Sequence, residues 1–251
     1  MAINSIIIES PKNEIIKSAK LLLQSKYRKE RNMHIIEGDR LVRDAFLSNA
    51  KIHELFIESG FENEYQDIVC DKRYIVSRKV IESLSDTQNP QHIIATVYTE
   101  QNYTHADGII VALDCVQDPG NMGTIIRTAD ALGAKAVYIS ELSCDAFSPK
   151  CLRSSMGSIY HIPVIKCSLI NELIRLRDMG YTLICGHLDG GYDFPSFNKN
   201  AVIVIGNEGN GVSNEIASLC HKFRIKMDGK AESLNASIAA ALLIYEATRK
   251  I

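Results

Sequence analysis

The chain has 251 residues, 46% of them hydrophobic and 23% charged, with a formal net charge of −2; that suits two small domains or one large one around a sizeable core and argues against a general nucleic-acid binder. No apolar run approaches the roughly 20 residues of a membrane span, and the first residues carry neither a basic lead nor a long apolar stretch, so a cytoplasmic protein is expected. Seven cysteines without a close C-x-x-C pair or a histidine at metal spacing point to free thiols, and no metal is expected.

Residues 12–25 read as a helix, with Ile15, Ile16, Ala19, Leu22 and Leu23 on one side. A charged loop is expected next. Its Lys26, Arg28, Lys29 and Arg31 extend a local cation excess that starts at Lys12, and they are candidate phosphate contacts because cations there would gain from counterion release. A solvated face is the alternative reading. Strands are expected at 33–36, 52–57 and 93–98, and helices at 38–48 and 78–84, giving a compact α/β unit over residues 1–100. The polar stretch 101–107 reads as a linker.

The remainder, 108–251, alternates apolar strands at 109–116, 136–139, 182–185, 201–205 and 223–227 with helices at 122–132, 171–179, 213–219 and 234–249. Such alternation predicts a mostly parallel sheet covered on both faces.

Three segments carry chemistry. The first, LDCVQDPGNMGTIIRTADALGA, is a buried strand, a turn at Asp118-Pro119-Gly120-Asn121 and a helix whose amino terminus favours an anionic group. Arg127 is placed about one turn into that helix, within reach of the same mouth. In the second, VIVIGNEGNGV, a strand breaks into a loop with Gly206, Glu208, Gly209 and Gly211, where glycines permit positive φ and close approach of a ligand. The spacing is neither G-x-G-x-x-G nor G-x-x-x-x-G-K-[ST], which counts against a nicotinamide site or a P-loop. The third, IKMDGKAESLNASIAAALLIYEATRK, ends in a long helix with Ser233 as the expected N-cap and an alanine-rich stripe for close packing. Taken singly, each segment is also what an ordinary βα turn or capped helix would show.

Together, and in this order, the three resemble the SpoU, or TrmH-like, family of RNA ribose 2′-O-methyltransferases. The first family motif stands as Asn121, Gly123, Arg127 and Ala129, the second as Gly206, Glu208, Gly209 and Gly211, and the third as Ser233, Leu234 and Asn235. Ser155 and Gly157 also match, whereas Lys226 stands where the family commonly has a proline before the methionine. The resemblance implies a trefoil-knotted methyltransferase domain, S-adenosylmethionine as cofactor and a homodimer. It implies cofactor binding by Gly206, Asn207, Ile225, Met227, Leu234 and Asn235, largely through backbone. It implies catalytic duties for Arg127, Asn121, Glu208, Ser233 and Asn235.

Residues 34–38, HIIEG, followed by a helix, are similar to the family's amino-terminal, ribosomal-protein-like substrate-binding domain, which favours ribosomal RNA as target. A transfer-RNA enzyme, an antibiotic-resistance methyltransferase, a non-catalytic RNA-binding relative and an enzyme for a small nucleotide-like substrate are the alternatives. All three motifs follow Ile109 and the basic excess precedes Asn32, so removal of 1–104 is expected to leave a folded, cofactor-binding domain.

Overall fold

The computed structural model describes residues 6–99 and 107–250, so the expected linker, Asp107 apart, lies outside the described residues. The chain divides into two compact units, the first Met1–Glu100 with Phe147–Tyr160, the second Gln101–Ala146 with His161–Ile251.

In chain order the first unit contains β1 (Ile6–Ile8), α1 (Glu14–Leu21), α2 (Ser25–Arg31), β2 (Met33–Glu37), α3 (Asp39–Leu47), β3 (Ile52–Glu58), β4 (Lys72–Val76), α4 (Arg78–Leu84) and β5 (Ile93–Tyr98). Its sheet has the order β1-β4-β3-β5-β2; β4 is parallel to β1 and β3, and β5 is antiparallel to β3 and β2. On one face Ile16 and Ala19 of α1, Leu22 at its carboxyl-terminal cap, and Val80, Ile81 and Leu84 of α4 bury against Ile35, Phe56, Tyr74 and Ile94. Two strands, β1 and β4, escaped the sequence reading because each is short and neither is bounded by glycine or proline. The expected charged loop is instead the helix α2, which ends on Asn32 in the left-handed conformation.

The second unit begins with β6 (Ile109–Leu113), α5 (Pro119–Ala131) and β7 (Ala136–Ser140). After α6 (Pro149–Ser155), which packs on β2 of the first unit's sheet, come β8 (Val164–Cys167), α7 (Leu169–Asp178), β9 (Thr182–Gly191), β10 (Ala201–Ile205), α8 (Asn214–Ala217), β11 (His221–Phe223) and α9 (Ala236–Thr248). All six strands run parallel in the order β11-β9-β10-β6-β7-β8. A sheet buried on both faces explains why β6 and β10 are apolar throughout and β7 is apolar up to its last residue, Ser140. Leu169, Leu173 and Leu176 of α7 seal one face with Ile216 and Ala217 of α8, while α9 packs on β10, β6 and α5. The expected α/β class and mostly parallel sheet are borne out.

Three local expectations are corrected. The strand expected at 223–227 is His221–Phe223, and the residues after it run as irregular backbone. The helix of the first motif starts at Pro119, capped by Asp118, whose side chain accepts from the Asn121 N–H. Arg127 is therefore its ninth residue, about 12 Å along the axis from its start, and not one turn in. The N-cap of α9 is Asn235 rather than Ser233, because the Asn235 side chain accepts from the N–H groups of Ser237 and Ile238.

Candidate active site

The three motifs follow β6, β10 and β11 and are joined by side-chain hydrogen bonds. Asn121, in the first turn of α5, donates through Nδ2 to Glu208 Oε1 at 3.1 Å and accepts at Oδ1 from Asn235 Nδ2 at 3.0 Å. Glu208 also accepts from the backbone N–H groups of Asp118 (3.1 Å) and Gln117 (3.2 Å). One hydrogen-bonded chain, Asn235–Asn121–Glu208, thus ties the cap of α9, the start of α5 and the tip of the glycine-rich loop. Burial works to raise the Glu208 pKa, but the bonds from Asn121 and the backbone outweigh it and hold the carboxyl below its ordinary range.

The glycine-rich loop is closed on itself. Asn207 and Gly211 exchange both backbone hydrogen bonds, and Asn207 Oδ1 accepts from the N–H groups of Gly209 and Asn210 at 2.9 and 3.1 Å. Asn207 Nδ2 anchors the loop to the carbonyl of Cys115 at 2.9 Å. Gly206 is required by close approach and not by a positive φ: a Cβ there would lie 2.0 Å from the Gly211 carbonyl carbon and 2.1 Å from the Val212 nitrogen. The loop itself would be pushed open before any ligand was touched.

Beside this loop lies a cleft of about 520 Å³. Of the expected cofactor residues Gly206, Asn207, Ile225, Met227 and Leu234 line it, whereas Asn235 does not. Leu234, Ala236, Ala239 and Leu243 supply apolar surface, and Arg224 and Glu232 are polar groups in the same wall. The backbone N–H groups of Ile225, Met227 and Leu234 are not taken by another protein group among the described residues. An apolar seat of this volume with unspent backbone donors fits an adenosine carrying an amino-acid tail.

Ser233 is exposed and lines the cleft. Arg127 is exposed, and it takes part in no hydrogen bond or ion pair among the described residues; Glu208 and Asn235 both bond Asn121. Sequence reasoning missed the roles of Gln117 and Asp118, whose N–H groups hold Glu208, and of buried Asp114, which accepts from the Ser213 N–H at 2.8 Å. An acidic residue closing an apolar strand was the signal that could have found Asp114.

The four cations of the amino-terminal segment do not act alike. Lys26 and Lys29 are exposed. Arg28 is 7% exposed and donates to the Leu22 carbonyl at 2.8 Å, and Arg31 donates to the carbonyl and hydroxyl of Ser18, both at 3.0 Å. Both arginines are spent on the carboxyl-terminal carbonyls of α1, which removes Arg28 from the exposed set. Among the described residues no cluster of three or more His, Cys, Asp or Glu side chains could hold a metal.

Residues 108–245 match the model of the SpoU rRNA methylase family. The chain belongs to this family. Residues 13–95 match the MRM3-like substrate-binding domain. The chain is 34% identical to the 23S rRNA (guanosine(2553)-2′-O)-methyltransferase RlmP of Bacillus subtilis, over 95% of this chain and 97% of that protein. Its fold is similar to that of the AdoMet-bound rRNA methyltransferase from Sinorhizobium meliloti, with a TM-score of 0.86, 33% identity and coverage of 98% of both chains. The AdoMet complex of the SpoU methyltransferase AviRb from Streptomyces viridochromogenes also gives a TM-score of 0.86, at 26% identity over 95% of this chain and 98% of that one. The expected family, enzyme class and methyl donor are borne out.

Proposed function

We propose that this SpoU methylase methylates the ribose 2′-hydroxyl of a guanosine in 23S ribosomal RNA, at the position corresponding to the one named for the Bacillus subtilis relative. The similarity to that relative along nearly the whole of both chains is the observation that carries the target. S-adenosylmethionine, held by the cleft residues Gly206, Asn207, Ile225, Met227 and Leu234, supplies an electrophilic methyl group. The chain's own task is to align the hydroxyl and manage one proton. The Asn235–Asn121–Glu208 chain fixes the three loops around the cleft mouth, so that little reorganisation is left for the reacting state. Arg127, with donors, no acceptor and no protein partner among the described residues, grips the phosphate beside the target ribose, and the hydroxyl proton passes to solvent water as the oxygen–methyl bond forms and the sulfur–methyl bond breaks. Ser233, exposed at the cleft, positions the ribose.

The division of labour follows the chain, with substrate RNA held by residues 1–100 and methyl transfer carried by 108–251. The enzyme works as a cytoplasmic homodimer without a metal. Support for the dimer is an outward apolar stripe on α9: Ile238, Leu242 and Tyr245 recur at helical spacing and are 52%, 42% and 52% exposed. The methyltransferase domain is knotted as its family membership implies. Among the described residues no helix is long and apolar enough to cross a membrane.

The test is a map of 2′-O-methyl sites across total RNA from cells with and without the gene. Loss of one mark, at the corresponding 23S guanosine, is the expected result; loss of a mark in transfer RNA instead would refute the ribosomal target.

A further inference from the structure

A pocket of about 350 Å³ opens within the first unit at the amino-terminal end of α3. Clefts that enclose a small ligand span roughly 300–1,000 Å³, so this one is suited to a group of nucleotide size. One wall is the 85–91 segment, and that wall is rigidly held. The Glu37 carboxylate accepts from Ser85 Oγ (2.6 Å), Thr87 Oγ1 (3.0 Å) and the Gln91 N–H (3.1 Å), while Arg78 donates to the Pro90 carbonyl at 3.0 Å.

Gln91 Oε1 in turn accepts from the Asp39 N–H at 2.9 Å. Gly38 permits that approach, since a Cβ there would stand 2.7 Å from this oxygen and its φ is +100°. With its oxygen spent, Gln91 has its NH₂ group left to donate. The neighbouring Asn89 side chain has no hydrogen bond among the described residues. Arg40 is largely exposed, with its nearest carboxylate, Asp44, at 3.9 Å. Arg153 is paired with Asp86, and Met156 is 38% exposed.

We propose that this pocket takes an unpaired base of the substrate RNA, read by the Asn89 and Gln91 amides and flanked by Arg40 and Met156. The proposal rests on the RNA methyltransferase reading above. The Gln91 NH₂ group, oriented by the bond its oxygen accepts, offers a donor, and the Asn89 amide offers a donor and an acceptor to a Watson–Crick edge, while a guanidinium plane and a thioether give faces on which a base can stack. A duplex hides those edges. Two arginines, one with Asp44 at 3.9 Å and one paired with Asp86, carry too little free charge for a binding site driven by phosphate neutralisation alone.

The experiment compares full-length protein with Asn89→Ala and Arg40→Ala. Binding is measured to short unstructured oligoribonucleotides of mixed sequence and to hairpin duplexes of equal length. Both altered residues are exposed, and thermal melting checks that the fold is kept. Each variant is expected to bind the unstructured RNA about tenfold more weakly and the hairpins as the wild type does. In parallel, photocrosslinking of wild-type protein to 4-thiouridine oligonucleotides is expected to label peptides containing Asn89 or Met156. Unchanged affinity for unstructured RNA, an equal loss for hairpins, or labels confined to other peptides would overturn the pocket. If the wild type discriminates in this way yet methylates no RNA, the pocket stands and the enzymatic reading falls.

Discussion

Asn121 has two hydrogen-bonding ends and uses both, as donor to Glu208 and acceptor from Asn235. An aspartate in its place would keep the acceptor but set a second carboxylate against Glu208. Asn121→Asp is therefore expected to lower methylation more than Asn121→Ala, although it is the closer isostere; single-turnover assays with saturating RNA decide this, and the reverse order would remove the network from catalysis. Glu208 adds a pH signature. Its carboxyl is held below its ordinary range in the folded protein, so its contribution to stability is fully present above the unfolded carboxyl's pKa and is lost as pH falls through the lower folded value. The side-chain NH₂ signals of Asn121 in an NMR titration should stay constant from neutral pH down past the usual glutamate range and move only below it. Movement near pH 6 would show that the carboxylate is not held as described. The three residues were legible as members of separate motifs. The bonds between them were not, since they join positions 87 and 114 residues apart, and no periodicity spans that distance.

At the scale of elements, the sequence was most legible where apolar residues run almost unbroken, as in α9 and in the buried strands β6 and β10. It was least legible where side-chain bonding, not periodicity, fixes the element. Helix α2, SKYRKER, has no apolar stripe, and it is held to α1 by Arg28 and Arg31 reaching the Leu22 and Ser18 carbonyls. The same geometry divides the basic segment into two pairs with different expected behaviour. Lys26→Gln with Lys29→Gln should weaken RNA binding and flatten the slope of log affinity against log salt by something under about 1 for each phosphate left without its lysine, with the melting temperature unchanged. Arg28→Ala should do the opposite, costing roughly 1–3 kcal/mol by leaving a buried carbonyl without its charged donor. Salt-dependent binding and denaturant melts on both variants separate the two roles. An unchanged salt slope in the lysine pair would make that face merely solvated.

For the molecule as a whole, the boundary in the sequence and the boundary in the packing do not coincide. Phe147–Tyr160 lies inside the segment that matches the methylase family, 108–245, yet it packs with the amino-terminal residues. Tyr160 OH is 2.8 Å from His34 Nε2, and Arg153 pairs with Asp86. Leu152 and Ile159 are 1% and 2% exposed, and Leu152 lies beside Ile35, Ile36 and Leu41. Reading the motifs alone led to the expectation that 105–251 would fold unaided once 1–104 was removed. The packing changes that expectation. The shortened chain would bare Leu152 and Ile159, each worth about 1.5–3 kcal/mol of lost burial, and would strip Tyr160 of its partner. A loss of that order is a large share of the roughly 5–15 kcal/mol typical of a whole domain. Fragment 105–251 is therefore expected to melt well below the intact protein, to bind a hydrophobic dye and to hold S-adenosylmethionine poorly, although every residue lining the proposed cofactor cleft is present. Replacing Leu152 and Ile159 by serine in the same fragment should recover part of its solubility. A fragment that melts cooperatively at the temperature of the full chain and binds the cofactor with the same affinity would show that 147–160 owes its conformation to the methylase segment alone.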